Sequence, residues 1–263
     1  MDAGGGAMSG TLAFLGDFGD AIDYIFHARE SKAGGARVGG SELWPLIGTH
    51  LKVTAAAMAI ATAVALPLGL VLGHTRRGAF ATISVSNVGR AVPSIALIAF
   101  FVAFFPSTPE FWNVTAALAL LAIPPILTNA YVGVGQVDRD TVDAARGMGM
   151  SGAQVVRQVE LPLALPLIFG GIKTSTVNVI ATATIAPLVG VLTLGDPIIS
   201  GSVHGRAGQI GASIVVAVLA VIAELSLSAV QRAVTPAGVK LERRAASAPS
   251  RFGTLKRRIQ TAP

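Results

Sequence analysis

Long apolar runs alternate with short polar ones along this chain. Val53 to Leu72, Phe111 to Val137 and Thr174 to Gly195 carry no charged residue, and Ala207 to Gln231 carries one, Glu224. A helix needs about 20 mostly apolar residues to cross the hydrocarbon of a bilayer. Each run therefore predicts a spanning helix, the third beginning upstream near Leu163. A weaker fifth candidate covers residues 83–105, with Arg90 near its start. Residues 11–28, TLAFLGDFGDAIDYIFHA, interleave apolar positions with Asp17, Asp20 and Asp23. That pattern predicts an amphipathic helix lying in the outer interface rather than a sixth span. The expected fold class is all-α: one polytopic membrane helix bundle with about five transmembrane helices.

Composition sharpens this. Of 263 residues, 52% are hydrophobic and only 13% charged, and mean hydropathy is +0.66. A soluble domain carries about a quarter charged residues. Cysteine is absent, which excludes a disulfide framework and a thiolate metal site. The N-terminus lacks the basic start of a secretory signal. Residues 1–45 hold three basic and six acidic side chains, whereas residues 232–263 hold eight basic and one acidic. With five spans, the His74-Thr75-Arg76-Arg77 loop, the polar segment near residues 138–162 and the basic tail share one side. The excess of Lys and Arg makes that side cytoplasmic. Three regions follow: residues 1–44, an extracytoplasmic or interfacial segment; 45–232, the transmembrane domain; and 233–263, a basic cytoplasmic tail expected to be disordered. The tail suits anionic lipid better than nucleic acid. Trp44, Trp112 and Tyr24 are expected at membrane interfaces.

The polar segment DAARGMGMSGAQVVRQVELPLALPLI (143–168) has a definite local grammar. Asp140 can cap a short helix, which Gly147 and Gly149 weaken and end. Ser151 and Gln154 have the spacing of a capping box and start a second short helix. Pro162 and Pro166 mark the return into the membrane. The result is a helix–turn–helix elbow whose small face, Ala144 and Ala145, lets another surface approach closely.

This segment resembles the EAA loop of ABC-importer permeases. Their pattern is Glu-Ala-Ala, three residues, Gly, nine residues, an aliphatic residue, one residue, then Leu-Pro. Here the positions are Asp143-Ala144-Ala145, Gly149, Val159 and Leu161-Pro162, with Asp for Glu and Val for Ile as mild departures. AARGMGM, VELPLALPLIFGGIKTSTV, VIATATIAPLVG, VGRAVPSIAL and Thr49-His50 further resemble permeases for glycine betaine, choline, carnitine and related osmoprotectants. The likeness covers about residues 45–232. Where that family runs Ile-Gly-Ala-Gly-Gly-Leu-Gly, this chain reads Val189-Gly190-Val191-Leu192-Thr193-Leu194-Gly195.

The resemblance implies a type I importer permease with cytoplasmic coupling helices, in the plasma membrane of a prokaryote, its N-terminus outside and C-terminus inside. It implies three partners: a cytoplasmic ATP-binding subunit, an extracytoplasmic binding protein, and a second permease, identical or not. Asp143, Ala144, Ala145, Gly149, Val159, Leu161 and Pro162 would dock on the ATPase. The chain would carry no cofactor, ATP being bound by the partner.

The residues themselves are consistent with that division. No Gly is followed directly by Lys, so a P-loop pattern is missing. No His/Glu cluster has metal spacing and no catalytic set converges. His74 and His204 read as isolated loop histidines. Thr174, Asn178 and Thr182 make one polar stripe at helical spacing, which suits a conduit or interhelical hydrogen bonds; Pro93 and Ser94 join the candidate pathway by resemblance. Lys173 and Glu224 fall inside spans and suggest pairing across helices. An importer for another small solute, such as an amino acid, stays open, as does an ion-gradient-driven carrier or channel working alone. A membrane scaffold that only tethers an ATPase is a further alternative.

Overall fold

The computed structural model describes residues 16–76, 78, 82, 84, 89 and 91–235. A helix through residues 16–26 (α1) leads to a two-stranded antiparallel hairpin, β1 Arg29–Glu30 and β2 Arg37–Val38. Then follow α2 Leu43–Thr75, α3 Ser94–Phe104, α4 Glu110–Gly135, α5 Arg139–Gly147, α6 Gly152–Val155, α7 Leu161–Thr182, α8 Gly195–Ile199 and α9 Gly201–Val234. Among the described residues, four helical stretches are long and apolar enough to cross a membrane: Gly40–Thr75, Glu110–Gly135, Gly152–Val189 and Gly201–Val234.

The fifth expected span appears as α3, only 11 residues long. At 1.5 Å per residue that is about 17 Å, short of the ~30 Å hydrocarbon core. Pro93 sets its start: its φ of −61° and ψ of 126° are extended, so the helix begins one residue later. Arg90 and most of residues 83–90 lie outside the described residues.

Helix α2 shows why the bundle is tight. Val53, Ala57, Ala61, Ala65, Gly69 and Gly73 are all buried and recur every four residues. This stripe lies on α4. A Cβ on Gly69 would sit 2.5 Å from Ala130 Cβ, and one on Gly73 would sit 2.7 Å from Val134 Cβ and 2.9 Å from the Tyr131 carbonyl oxygen. Lipid tails give no hydrophobic push between helices, so close backbone approach through small residues supplies the attraction. Pro124 and Pro125 lie inside α4 and remove two backbone donors. Polar side chains gather at this weak turn. Ser175 of α7 donates to the Ala122 carbonyl at 2.8 Å, and the Asn129 amide donates to the Pro125 carbonyl at 2.8 Å.

The expected span Thr174–Gly195 needs correction. Its start lies upstream as expected, α7 opening at Leu161, but it ends its α form at Thr182 and tightens into a 3₁₀ stretch, Ala183–Val189. Gly190, at φ 90°, terminates it. Gly195 instead opens α8, where its bare Cα lies against the Thr184 backbone. Tightening from i−4 to i−3 bonding leaves carbonyls of the last α turn short of a partner. His50 Nε2 donates to the Ile180 carbonyl at 3.1 Å, and Thr193 Oγ1 donates to that of Ala183 at 2.8 Å.

The amphipathic N-terminal helix is present, but its buried side packs on protein. Tyr24 is fully buried rather than at a lipid interface. Its hydroxyl donates to His204 Nδ1 at 2.7 Å, while His204 Nε2 donates to Asp196 at 3.1 Å. His204 therefore is a helical residue in a network, not an isolated loop histidine. Burial pushes the Tyr24 phenol up to about 12; Arg29, 5.0 Å above its ring, opposes this and Asp196 adds to it. Ser31 Oγ and Lys32 N both donate to the Val203 carbonyl, and Arg206 pairs with Asp17 at 3.0 Å. At the other end of α9, Lys173 donates to Gln231 at 2.8 Å and Ser228 at 3.3 Å. The expected cross-helix pairing thus holds for Lys173. Glu224 is exposed on α9 and forms no ion pair among the described residues.

Two glycines of α2 provide a test. Gly69→Ala should lower the stability of the purified protein by about 1–3 kcal/mol through overpacking. Gly48→Ala, on the same helix with nothing within 4 Å of the new methyl, should leave it unchanged or raise it by up to about 1 kcal/mol. Thermal unfolding of the two variants in detergent reads both effects.

Candidate functional site

The polar elbow is built from local signals. Asp138, rather than Asp140, is the N-cap of α5: its carboxylate accepts from Thr141 N at 3.3 Å, and Asp140 sits in the first turn. The extended Asp138 (φ −57°, ψ 135°) places its side chain over the free amides, which Asp140, already helical, is not placed to do. Gly149 ends the helix at φ 86°. Gly149 N donates to the Arg146 carbonyl and Met150 N to that of Ala145, the paired bonds of a Schellman turn. Ser151 and Gln154 form the expected capping box, at 2.8 Å and 3.4 Å.

The second arm differs from expectation. It is not a separate short helix. Residues 152–155 run through a π turn, Val156–Glu160, straight into α7, so one helical rod extends from the elbow into the membrane. Pro162 lies inside this rod, just past the π turn, where it removes one backbone donor.

Burial sorts the residues expected to dock. Ala144 and Asp143 face outward, as do Arg146, Gly147 and Met148. Ala145 does not share that face. It is 2% exposed and packs with Val137, Val142 and Val155, with Met150 and Val159 alongside. An apolar stripe on a nine-residue helix must bury inward, and the second alanine falls on it. Leu161 packs against Ala130, Val134, Ala164 and Ile168 of the bundle. Val159 and Leu161 thus fasten the elbow, Gly149 shapes it, and Asp143 and Ala144 are presented.

Behind the elbow is a cleft of about 570 Å³ lined by His74, Arg76, Arg139, Asp143, Arg146 and Glu160, among others. His74, expected in a loop, is in the last turn of α2 and donates from Nδ1 to Glu160 at 2.7 Å. No local pattern could reveal a partner so distant in sequence.

A second cavity, about 550 Å³, gathers the expected pathway residues. Ser94, Thr174, Asn178 and Thr182 line it together with Pro125 and Ala181; Pro93 does not line it and serves instead as the start of α3. The Thr174 and Thr182 hydroxyls donate to carbonyls one turn back, Gly170 at 3.0 Å and Asn178 at 2.7 Å. The Asn178 carboxamide has no hydrogen bond among the described residues. The described lining carries no charge and no aromatic ring.

The family of binding-protein-dependent transport system inner membrane components matches residues 65–237. The chain belongs to that family. The permease is 36% identical over 204 residues to the glycine betaine/carnitine/choline transport system permease protein OpuCB of Bacillus subtilis, covering 76% of this chain and 92% of that one. It is 36% identical over 194 residues to a carnitine transport permease protein of Listeria monocytogenes, covering 73% and 87%. Its fold is that of the MetNI methionine ABC transporter in inward-facing conformations, with TM-score 0.65 at 20% identity over 74% of this chain and 96% of that one. The expected all-α type I importer permease architecture is therefore correct.

The absence of native cysteine makes solvent access easy to test. In single-cysteine variants, Asn178→Cys should react with a water-soluble maleimide at least about tenfold faster than Val218→Cys, on the outer side of α9. Equal rates would show that the cavity is not watered.

Proposed function

We propose that this permease is the membrane-spanning subunit of an ATP-driven importer for osmoprotectants of the glycine betaine, choline and carnitine type. The carrying observation is its likeness to curated permeases of those names over most of its length. Solute arrives on an extracytoplasmic binding protein and crosses between two permease subunits. A cytoplasmic ATPase subunit docks on the elbow and supplies the energy; the permease itself binds no cofactor. The elbow and the basic C-terminal tail are then cytoplasmic, and residues 1–44 lie outside.

The chemistry of the second cavity supports such a cargo. A quaternary ammonium is held tightly by aromatic faces, and the described cavity lining has none. Trp44 and Trp112 are exposed on the outside of the bundle and Tyr24 is packed away. Tight recognition therefore belongs to the binding protein. The Asn178 amide and the neighbouring hydroxyls provide a neutral polar path that neither traps a cation nor repels a carboxylate. ATP favours one arrangement of the bundle only through contacts that differ between its states, and the exposed Asp143–Ala144 face is where those contacts enter.

Reconstitution with the ATPase and the binding protein should give ATP-dependent uptake of labelled betaine, choline or carnitine. Uptake of amino acids instead would move the assignment to another solute, and uptake by this chain alone on an ion gradient would overturn it. Ala144→Glu, on the presented face, should abolish docking while the protein inserts and keeps its thermal stability. Ala145→Glu should instead unfold the elbow, by burying a charge at about 3 kcal/mol or more. Wild-type ATPase stimulation by Ala144→Glu would refute the docking role.

A further inference from the structure

We infer that the His74–Glu160 pair is the latch that carries motion of the elbow into α2, so that His74 is a positioning residue for energy coupling. The inference rests on the reading of the elbow as the ATPase docking element.

Three features point to it. The first is the bond itself. His74 Nδ1 lies 2.7 Å from Glu160 Oε2, with side-chain exposures of 18% and 5%. A carboxylate only accepts, so Nδ1 carries the hydrogen, and a charged group so shielded from water depends on its partner. Among the described residues the other side-chain hydrogen bond from this end of α2 toward the elbow is the longer one from Arg76 to the Val137 carbonyl, at 3.4 Å. The imidazole also reaches along the second arm: its Nε2 lies 3.4 Å from where a Cβ on Gly152 would be. It therefore bonds the residue that closes that arm and lies near the glycine that opens it.

The second feature is where Glu160 sits. It closes the π turn Val156–Glu160, in which Leu161 N donates five residues back, to the Val156 carbonyl. Such turns are rare, single, and concentrated at functional sites. A π turn holds one residue more than an α turn, so it is a point where the rod can change register and rotate. The elbow's connection to its own helix α7 is thus softened at the residue whose side chain ties it to a different helix.

The third feature is what lies beyond His74. The preceding residue is Gly73, locked against Val134 and Tyr131 of α4, and Gly69 is locked against Ala130 one turn back. Displacing the cytoplasmic end of α2 must displace α4 with it. Helix α2 is 33 residues long, about 50 Å at 1.5 Å per residue, and reaches His50, bonded to the Ile180 carbonyl of α7. A push received at Glu160 is delivered to the far end of the bundle by one lever.

Among the described residues, the other titratable and charged groups facing the cleft are Arg76 at the C-cap of α2 and Arg139, Asp143 and Arg146 from α5. None replaces the bond. Arg76 donates to the Val137 carbonyl at 3.4 Å and Arg146 faces Asp143 at 4.0 Å.

The test uses the full transporter, reconstituted with ATPase and binding protein, and reads solute imported per ATP hydrolysed. His74→Phe, which keeps a ring and removes the donor, and Glu160→Met, which keeps the chain length and removes the acceptor, should assemble with the ATPase and hydrolyse ATP, while the ratio falls about fivefold or more, the lower end of measured coupling effects. The double variant His74→Glu/Glu160→His, which restores the contact in reverse, should regain most of it. A purely structural role would lower thermal stability and assembly but leave the ratio of the surviving complexes unchanged. If His74→Phe fails to assemble, Glu160→Met, which keeps the length of the side chain but no acceptor for Nδ1–H, carries the test. Unchanged ratios in the assembled single variants, or no recovery in the reversed pair, would overturn the latch. If wild type itself neither binds nor stimulates the ATPase, it is the docking reading that fails, and the two failures are distinguished.

Discussion

The whole bundle depends on how closely α2 and α4 approach. In water, two helices are driven together by burying apolar surface; in lipid that drive is absent, and what remains is dispersion between surfaces that fit. The four-residue recurrence of Ala57, Ala61, Ala65, Gly69 and Gly73 removes side-chain bulk along one line of α2. Backbone then meets backbone, and the gain comes from contact density rather than from any single residue. The prolines of α4 fit this arrangement. Pro124 and Pro125 weaken the helix at a place where α7 packs against it, with Gly171 beside the Pro125 carbonyl and Ser175 donating to Ala122. That turn is supported by neighbours where its own hydrogen bonds are missing.

Two polar groups inside the bundle satisfy backbone groups that geometry has freed. His50 serves the carbonyl left by the α-to-3₁₀ change, and Thr193 another in the same turn. Thr174 and Thr182 bond to their own helix. This leaves the Asn178 carboxamide and the Ser94 hydroxyl as the polar side chains on the lining of the second cavity that are uncommitted among the described residues. A conduit needs such groups to replace water around a passing solute without holding it.

How much of this was legible in the sequence depends on the range of the interaction. The spans could be read because apolar length is set by the bilayer. The elbow could be read because caps and turns act within four residues: Ser151 with Gln154, Gly149 in its left-handed position. Its family could be read from the spacing of Asp143, Gly149 and Leu161-Pro162. The inward turn of Ala145 was missed because the motif names residue types, not the face each takes. The cap at Asp138 was missed because Asp140 competes on sequence alone and only φ and ψ separate them. The partners of His74, His204 and Tyr24 are long-range, and a single sequence carries no mark of them. The π turn is invisible for a related reason: it follows from how two packed ends are joined, not from the five residues within it.

The outermost helix, α9, illustrates a different economy. Its N-terminal end is tied to α1 through His204 and Arg206 and to the turn of the hairpin through Val203, and its C-terminal end to α7 through Gln231 and Ser228. Between these moorings Val218, Val221, Ile222 and Leu225 are more than half exposed. A beam fixed at both tips and bare at midspan transmits little sideways force to its neighbours. Its middle is therefore free to match bilayers of different thickness or composition, while the inner helices keep their geometry.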